Sequence, residues 1–215
     1  MGLPVEPVAS RGVALTKGLK VKEKLFGIIL LSVIAACSFV QNVAAQPYSG
    51  SGRNPPKQLS ERQLSVLKEV VPLIPSSENK IELIALMMVE SNLTPTAVSR
   101  TGDFGVTQVN CRIWRKRLKT ELGIQDCEKE LMKIDVAITA GVYVLNRFKR
   151  FRRCRGSNVY ACYNGGQNWK TRAEACQAAC QDDTCKRKCW RPSRYANSVR
   201  KHIRFLKRKY SDYIK

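Results

Sequence analysis

Eight cysteines in the second half of the chain constrain its fold more than any other feature. An even set of cysteines in an oxidising compartment predicts disulfides, and eight of them can form up to four bridges. Each bridge brings two parts of the chain within a few ångströms of each other, so the segment is expected to be compact. The eight are Cys111, Cys127, Cys154, Cys162, Cys176, Cys180, Cys185 and Cys189.

The N-terminal segment predicts export, which would supply such a compartment. Basic residues precede the apolar stretch "LFGIILLSVIAACSFV", and "NVAAQ" follows with Val43 and Ala45 at the −3 and −1 positions of a cleavage site. We favour a signal peptide over residues 1–45, because polar residues interrupt the apolar stretch. An uncleaved membrane anchor and a lipoprotein signal with Cys37 as the lipidated residue are the alternatives. All three place the rest of the chain in the periplasm or cell envelope, either membrane-anchored or secreted.

The net charge of +21 predicts an acidic partner. Two basic clusters, "RFKRFRRCR" at 147–155 and "RKHIRFLKRK" at 200–209, suit an anionic envelope polymer or a membrane surface. Because the chain is exported, no nucleic-acid partner is expected, although charge alone would allow a non-catalytic basic module that binds nucleic acid or envelope polymer. An envelope-spanning apparatus is a further class of partner that export allows.

Hydrophobic spacing predicts a mostly α fold in one domain, 58–215, after a Pro-, Gly- and Ser-rich linker at 46–57. No stretch shows convincing strand alternation. Serines at 76 and 77 are the expected N-caps of the second helix. A Cys-rich insertion is expected at 170–192. Helical patterns cover about 58–72, 77–91, 112–121, 127–151 and 194–214.

Glu90 follows the run "IELIALMMV", which is apolar on nearly every side and therefore predicts a buried helix. A carboxylate at this helix end faces the negative end of the dipole and has Leu86 and Met87 one turn back. Both effects should raise its pKa, as a general acid requires near neutral pH. The alternative is an ordinary solvated glutamate at a helix end.

The residues around Glu90 resemble the signature of the soluble-lytic-transglycosylase family of the lysozyme-like superfamily. The positions that match are Glu90, Ser91, Leu93, Pro95, Ala97, Ser99, Gly102, Gly105 and Gln108. Three later segments are similar to family elements in the same order: "AGVYVL" (140–145), "YNGG" (163–166) and "RYANSV" (194–199). The likeness covers about 78–206.

The resemblance implies a lysozyme-like fold with a saccharide cleft and cleavage of the β-1,4 bond between N-acetylmuramic acid and N-acetylglucosamine in the glycan strands of peptidoglycan. Glu90 would protonate the leaving oxygen and then accept the proton of the muramyl C6 hydroxyl, which gives a 1,6-anhydro sugar. Tyr163 would bond Glu90 or the sugar. No cofactor or metal is implied. The residues that the resemblance assigns to the cleft are Ser99, Gln108, Tyr163, Asn164 and Tyr195.

Asp103 leaves the reaction open between a lyase and a hydrolase. The stretch "GDFGVTQVN" (102–110) also resembles chicken-type lysozymes, whose aspartate at this place is a second catalytic carboxylate. Two carboxylates would support a hydrolytic muramidase. The other interpretation is a turn aspartate after Gly102, which we favour. The chain also departs from the family at Cys162, where alanine is usual, and at Ala137, where asparagine is frequent.

The last four cysteines allow either a zinc site or two disulfides. Export favours disulfides. Cysteines four residues apart on two facing short helices would pair in nested fashion, Cys176 with Cys189 and Cys180 with Cys185.

Overall fold

The computed structural model describes residues 54–215, and helices form most of this part of the chain. The mostly helical architecture predicted from the sequence is confirmed. The elements are α1 (Glu61–Leu73), α2 (Lys80–Ser91), β1 (Asp103–Phe104), β2 (Val109–Asn110), α3 (Cys111–Leu122), α4 (Cys127–Glu130), α5 (Ile134–Lys149), a 3-10 turn (Arg152–Cys154), α6 (Asn158–Gly165), α7 (Trp169–Ala178), α8 (Asp183–Cys189), α9 (Arg191–Lys209) and α10 (Ser211–Ile214).

The predicted signal segment, 1–45, and most of the predicted linker, 46–57, lie outside the described residues. Between residues 54 and 215, none of the helices combines the length and the apolar character needed to cross a bilayer.

Helix α2 lies at the centre of the core. Every residue from Leu83 to Val89 is buried, as the apolar run predicts. The helix packs most extensively against α9, and α9 packs to the same extent against α6. It ends at Asn92, whose backbone is left-handed (φ 54°) and whose N–H bonds to the carbonyl oxygens of Met87 and Met88.

The prediction that Ser76 or Ser77 caps α2 is wrong, because Asn79 is the N-cap. Its side-chain oxygen accepts the backbone N–H of Glu82 at 3.1 Å. The chain before Asn79 makes a turn instead, in which the N–H of Glu78 donates to the carbonyl of Pro75 at 2.9 Å.

The helical pattern at 127–151 is split into α4 and α5. Asp126 caps α4, and a linking segment from Leu131 to Lys133 precedes α5. This segment lies against the loop after β1. A Cβ on Gly105 would stand 2.0 Å from the carbonyl oxygen of Leu131. Hydrophobic spacing does not register such a break, because the apolar residues on both sides still face one core.

The β structure within 54–215 is a small antiparallel hairpin and one isolated bridge between Val98 and Phe104. Asp103 pairs with Asn110 and Phe104 with Val109. Strands of two residues are too short to show an alternating pattern, which explains why the sequence gives no sign of them.

All eight cysteines of the described region form disulfides. The nested pairing predicted for the last four is found, and these bridges hold α7 against α8 within the predicted insertion, 170–192. The sulfurs of Cys176, Cys180 and Cys189 lie within 4.8 Å of one another, which is also close enough for the zinc site considered above. Each of these sulfurs is bonded to another sulfur, and a metal-binding cysteine must be a thiolate. The four bridges are Cys111–Cys127, Cys154–Cys162, Cys176–Cys189 and Cys180–Cys185.

Removing the Cys111–Cys127 bridge by a double serine substitution should lower the free energy of unfolding by about 3 kcal/mol, from the lost restraint on the unfolded chain. This bridge has a sequence separation of 16 and both cysteines are buried. The double serine variant of Cys180 and Cys185, with a separation of 5, should lose less. Urea denaturation without reductant measures both values, and equal losses would contradict the expectation.

Candidate active site

Glu90 lies one residue before the end of α2, at the edge of the buried core. Its side chain is half-buried. Burial raises the pKa of the Glu90 carboxyl from 4.5 to about 8, because a carboxylate loses hydration there. The hydrogen bond from Tyr195 and the charge of Arg191 act to lower this pKa, and the charge of Asp103 acts to raise it. The predicted direction is therefore confirmed.

Tyr195 is the direct partner of Glu90. Its hydroxyl donates a hydrogen bond to Glu90 Oε1 at 2.6 Å. The ring is buried, and the packing of α9 on α2 and α6 holds it in place. Burial, followed by the negative charge of Glu90, raises the pKa of Tyr195 well above its ordinary value. The phenol therefore keeps its proton and stays a donor.

Tyr163 bonds the loop and not Glu90. Its hydroxyl donates to the carbonyl oxygen of Thr107 at 2.9 Å, and its ring packs against Phe148 with centroids 6.5 Å apart. Tyr163 was predicted to bond either Glu90 or the sugar. The hydroxyl that bonds Glu90 belongs to Tyr195 instead. Burial and, next, the negative charge of Glu90 raise the pKa of Tyr163, so the two side chains are neighbours.

The loop between α2 and α3 is held by its own polar side chains. Gln108, with a left-handed backbone (φ 52°), donates from Nε2 to the carbonyls of Ala97 and Gly105, both at 2.9 Å. Ser91 donates from Oγ to the carbonyl of Val106 at 2.7 Å. The amide group of Gln108 thus holds its own loop in shape, and its predicted contact with a saccharide stays a prediction.

Thr107 fastens this loop to α5. Its hydroxyl donates to the carbonyl of Ala137 at 2.7 Å, and its side chain occupies the space beside Gly141. A Cβ on Gly141 would stand 2.5 Å from the Thr107 methyl carbon. Thr107 was not among the predicted site residues, although the glycine of "AGVYVL" was a signal that α5 makes a close contact.

Asp103 is bound by the loop that carries it. Its Oδ2 accepts from the hydroxyls of Ser99 and Thr101, and its Oδ1 accepts from Asn110 Nδ2 at 2.7 Å. The backbone N–H of Asp103 donates to Ser99 Oγ at 3.0 Å. Ser99, predicted to lie on the cleft wall, is therefore a partner of Asp103. The carboxylate closes a turn and also adds negative charge near Glu90.

Asn164 is exposed at the C-terminal end of α6, next to Tyr163. Its helix ends against the start of α9, where a Cβ on Gly165 would stand 2.6 Å from Pro192 Cγ. Arg191, whose positive charge acts to lower the pKa of Glu90, was also not predicted. One basic residue among the many of this chain gives no pattern that would have singled it out.

Comparison with known proteins identifies the family. The family model of the transglycosylase SLT domain matches residues 76–184, just over half of the chain. No match was found to a curated protein or to a solved structure. The matched range contains Glu90, Asp103 and Tyr163 and ends before Tyr195. The chain therefore belongs to the transglycosylase SLT domain family, with its lysozyme-like fold and a transglycosylase-type function on peptidoglycan.

Proposed function

We propose that the chain is a lytic transglycosylase that cleaves the MurNAc-β-1,4-GlcNAc bond of peptidoglycan with Glu90 as its acid and base. The observation that carries this proposal is the Glu90 carboxyl, whose pKa of about 8 keeps it protonated at neutral pH beside the Tyr195 hydroxyl. A protonated carboxyl that can give up its proton near neutral pH is what a general acid requires.

The reaction needs one carboxyl group. Glu90 donates its proton to the glycosidic oxygen, the bond from that oxygen to the muramyl anomeric carbon breaks, and the N-acetylglucosamine part leaves with the proton. The substrate's own acetamido group holds the developing cation. The Glu90 carboxylate then accepts the proton of the C6 hydroxyl as its oxygen bonds to the anomeric carbon, so the ring closes without water. While Glu90 is ionised, the Tyr195 hydroxyl stabilises the carboxylate.

A hydrolytic muramidase that uses Glu90 and Asp103 is the second candidate. It is favoured by one observation, the influence of the Asp103 charge on Glu90. Against it stand the three side-chain donors of Asp103, which already occupy both carboxylate oxygens. A carboxylate that is bound in this way is less free to attack a sugar carbon or to activate water.

The four disulfides support a place outside the reducing cytoplasm. We therefore propose that the protein acts in the periplasm or cell envelope, on peptidoglycan glycan strands.

The Glu90→Gln variant should lose about 1,000-fold in the rate of peptidoglycan lysis, because an amide cannot donate the proton. Binding to sedimented peptidoglycan should survive, which separates an enzyme from a non-catalytic binding module. Lysis at the wild-type rate would rule out the catalytic assignment.

Stability provides the control for this variant. Burial raises the pKa of Glu90 in the folded state from 4.5 to about 8. The free energy of unfolding of the wild type therefore decreases as the pH rises through this range. Glutamine does not titrate. The variant should therefore be at least as stable as the wild type at pH 8, and a loss of lysis cannot then be assigned to unfolding.

The kcat/KM of the wild type should fall about tenfold per pH unit above pH 8, as Glu90 loses its proton. Tyr195→Phe removes a hydrogen bond that lowers the pKa of Glu90. The falling limb of the plot of kcat/KM against pH should therefore move to higher pH. Tyr163→Phe is the matched control, since that hydroxyl bonds Thr107 and not Glu90. A limb that stays in place in Tyr195→Phe, or moves as far in the control, would contradict the assignment.

Digestion in ¹⁸O-labelled water separates the lyase from the hydrolase. The lyase should give unlabelled muropeptides, lighter by one water than reducing-end products. Asp103→Asn should keep most of the activity, because its amide oxygen can accept from Asn110 and its NH2 group can donate to the Thr101 hydroxyl. Labelled reducing ends, together with loss of activity in Asp103→Asn, would establish the muramidase instead.

A further inference from the structure

A second concavity lies beside the loop that carries Asp103. It has a volume of about 690 Å³, within the range of small-ligand sites. One wall is the loop before and within β1, and the other is the first turns of α3 with the Cys111–Cys127 bridge. The lining residues are Arg100, Thr101, Gly102, Phe104, Cys111, Arg112, Arg115 and Glu128. We call it the arginine pocket.

The charges of the arginine pocket favour an anion. Its single carboxylate, Glu128, is already paired with Arg115. Arg100 and Arg112 are exposed and have no ion-pair partner among residues 54–215. A guanidinium group offers its N–H donors in a planar fork that matches a carboxylate. Two such groups in one concave site supply the kind of donors that a bound carboxylate needs.

The walls of the pocket are rigid and partly apolar. Cys111 is buried and tied to Cys127, and the backbone N–H of Cys111 donates to the carbonyl of Gly102 at 3.2 Å. Phe104 is partly buried and presents an aromatic side chain to the pocket. A ligand with an aliphatic chain between carboxylates would match this combination of apolar and basic surface.

The pocket and the candidate active site share one wall. Thr101 lines the pocket, and its hydroxyl bonds the Asp103 carboxylate whose charge acts on Glu90. Phe104 follows Asp103 in β1, and successive side chains of a strand point to opposite faces. The pocket therefore lies beside the loop whose Asp103 charge acts on Glu90.

We propose that the arginine pocket binds the carboxylates of the peptide stems that a glycan strand carries. This inference rests on the proposed function, because a strand held in the cleft would bring its stems to the neighbouring surface. The muramyl residues carry short peptides rich in free carboxylates, and their aliphatic side chains suit the Phe104 wall. The pocket thus selects glycan strands that still bear stems.

The test compares two substrates in one double variant. Arg100→Gln with Arg112→Gln should lower kcat/KM about tenfold on stem-bearing strands, for the loss of charge-assisted hydrogen bonds to one carboxylate. On strands freed of stems by an amidase, its kcat/KM should equal that of the wild type. This second substrate reports the proposed glycan cleavage by itself, so the two proposals fail separately.

The matched control is Lys57→Gln with Lys68→Gln, which removes the same charge from exposed positions outside the arginine pocket and outside both basic clusters. It should leave both substrates unaffected. Equal losses on the two substrates in the pocket variant, no loss on either, or an equal loss in the control would overturn the proposal.

Binding can be measured without catalysis. Titration of ¹⁵N-labelled wild-type protein with a free stem tetrapeptide should shift the amide signals of Arg100, Thr101 and Arg112, and the same peptide with amidated carboxylates should not shift them. An absence of shifts, equal shifts with the amidated peptide, or tighter binding of glycerol phosphate, which represents an anionic wall polymer, would each overturn the assignment.

Discussion

The hydrogen bond between Tyr195 and Glu90 joins the two helices on which the candidate active site depends. An ionised carboxylate at this buried helix end would be costly, and the Tyr195 hydroxyl is the one protein donor that reaches it in the described chain. Burial outweighs that donor, so the carboxyl stays protonated at neutral pH. The bond can form only when α9 packs on α2, which makes the chemistry a consequence of the tertiary fold.

The loop between α2 and α3 depends on close backbone contacts. Gly105 permits the carbonyl of Leu131 to approach, and Gly141 permits Thr107 to reach α5. Hydrogen bonds from Ser91 and Gln108 hold the loop between these contacts. A side chain at either glycine would require the loop or the helix to move. These contacts fix the loop relative to α2 and α5, which suits the role proposed for Glu90.

Local features of this protein were predictable and long-range ones were not. The burial of α2, the raised pKa of Glu90 and the nested bridges of α7 and α8 follow from residues that are close in sequence. The cap at Asn79 was missed because three polar residues within one turn of the helix start compete for that role, and only the turn at Pro75 decides among them.

Contacts between residues that are far apart in sequence could not be predicted from local patterns. Tyr195 meets Glu90 across 105 residues of sequence, so no local pattern distinguishes it from Tyr163 as the partner. The break between α4 and α5 depends likewise on the distant Gly105. The family resemblance named both tyrosines, but only the packing of α6 and α9 assigns their hydroxyls to different acceptors.

A protein with a net charge of +21 must still hold a proton on a carboxyl group at neutral pH. Nearby cations favour the ionised form, and this chain has many of them. The charge of Arg191 acts to lower the pKa of Glu90, but burial of the carboxyl outweighs it. The two largest basic clusters lie mostly on exposed surface, where water and salt screen them. Salt does not screen the loss of hydration at the end of α2. Its effect on the pKa of Glu90 therefore exceeds that of the basic residues. The fold thus combines a basic exterior with an uncharged carboxyl group at Glu90.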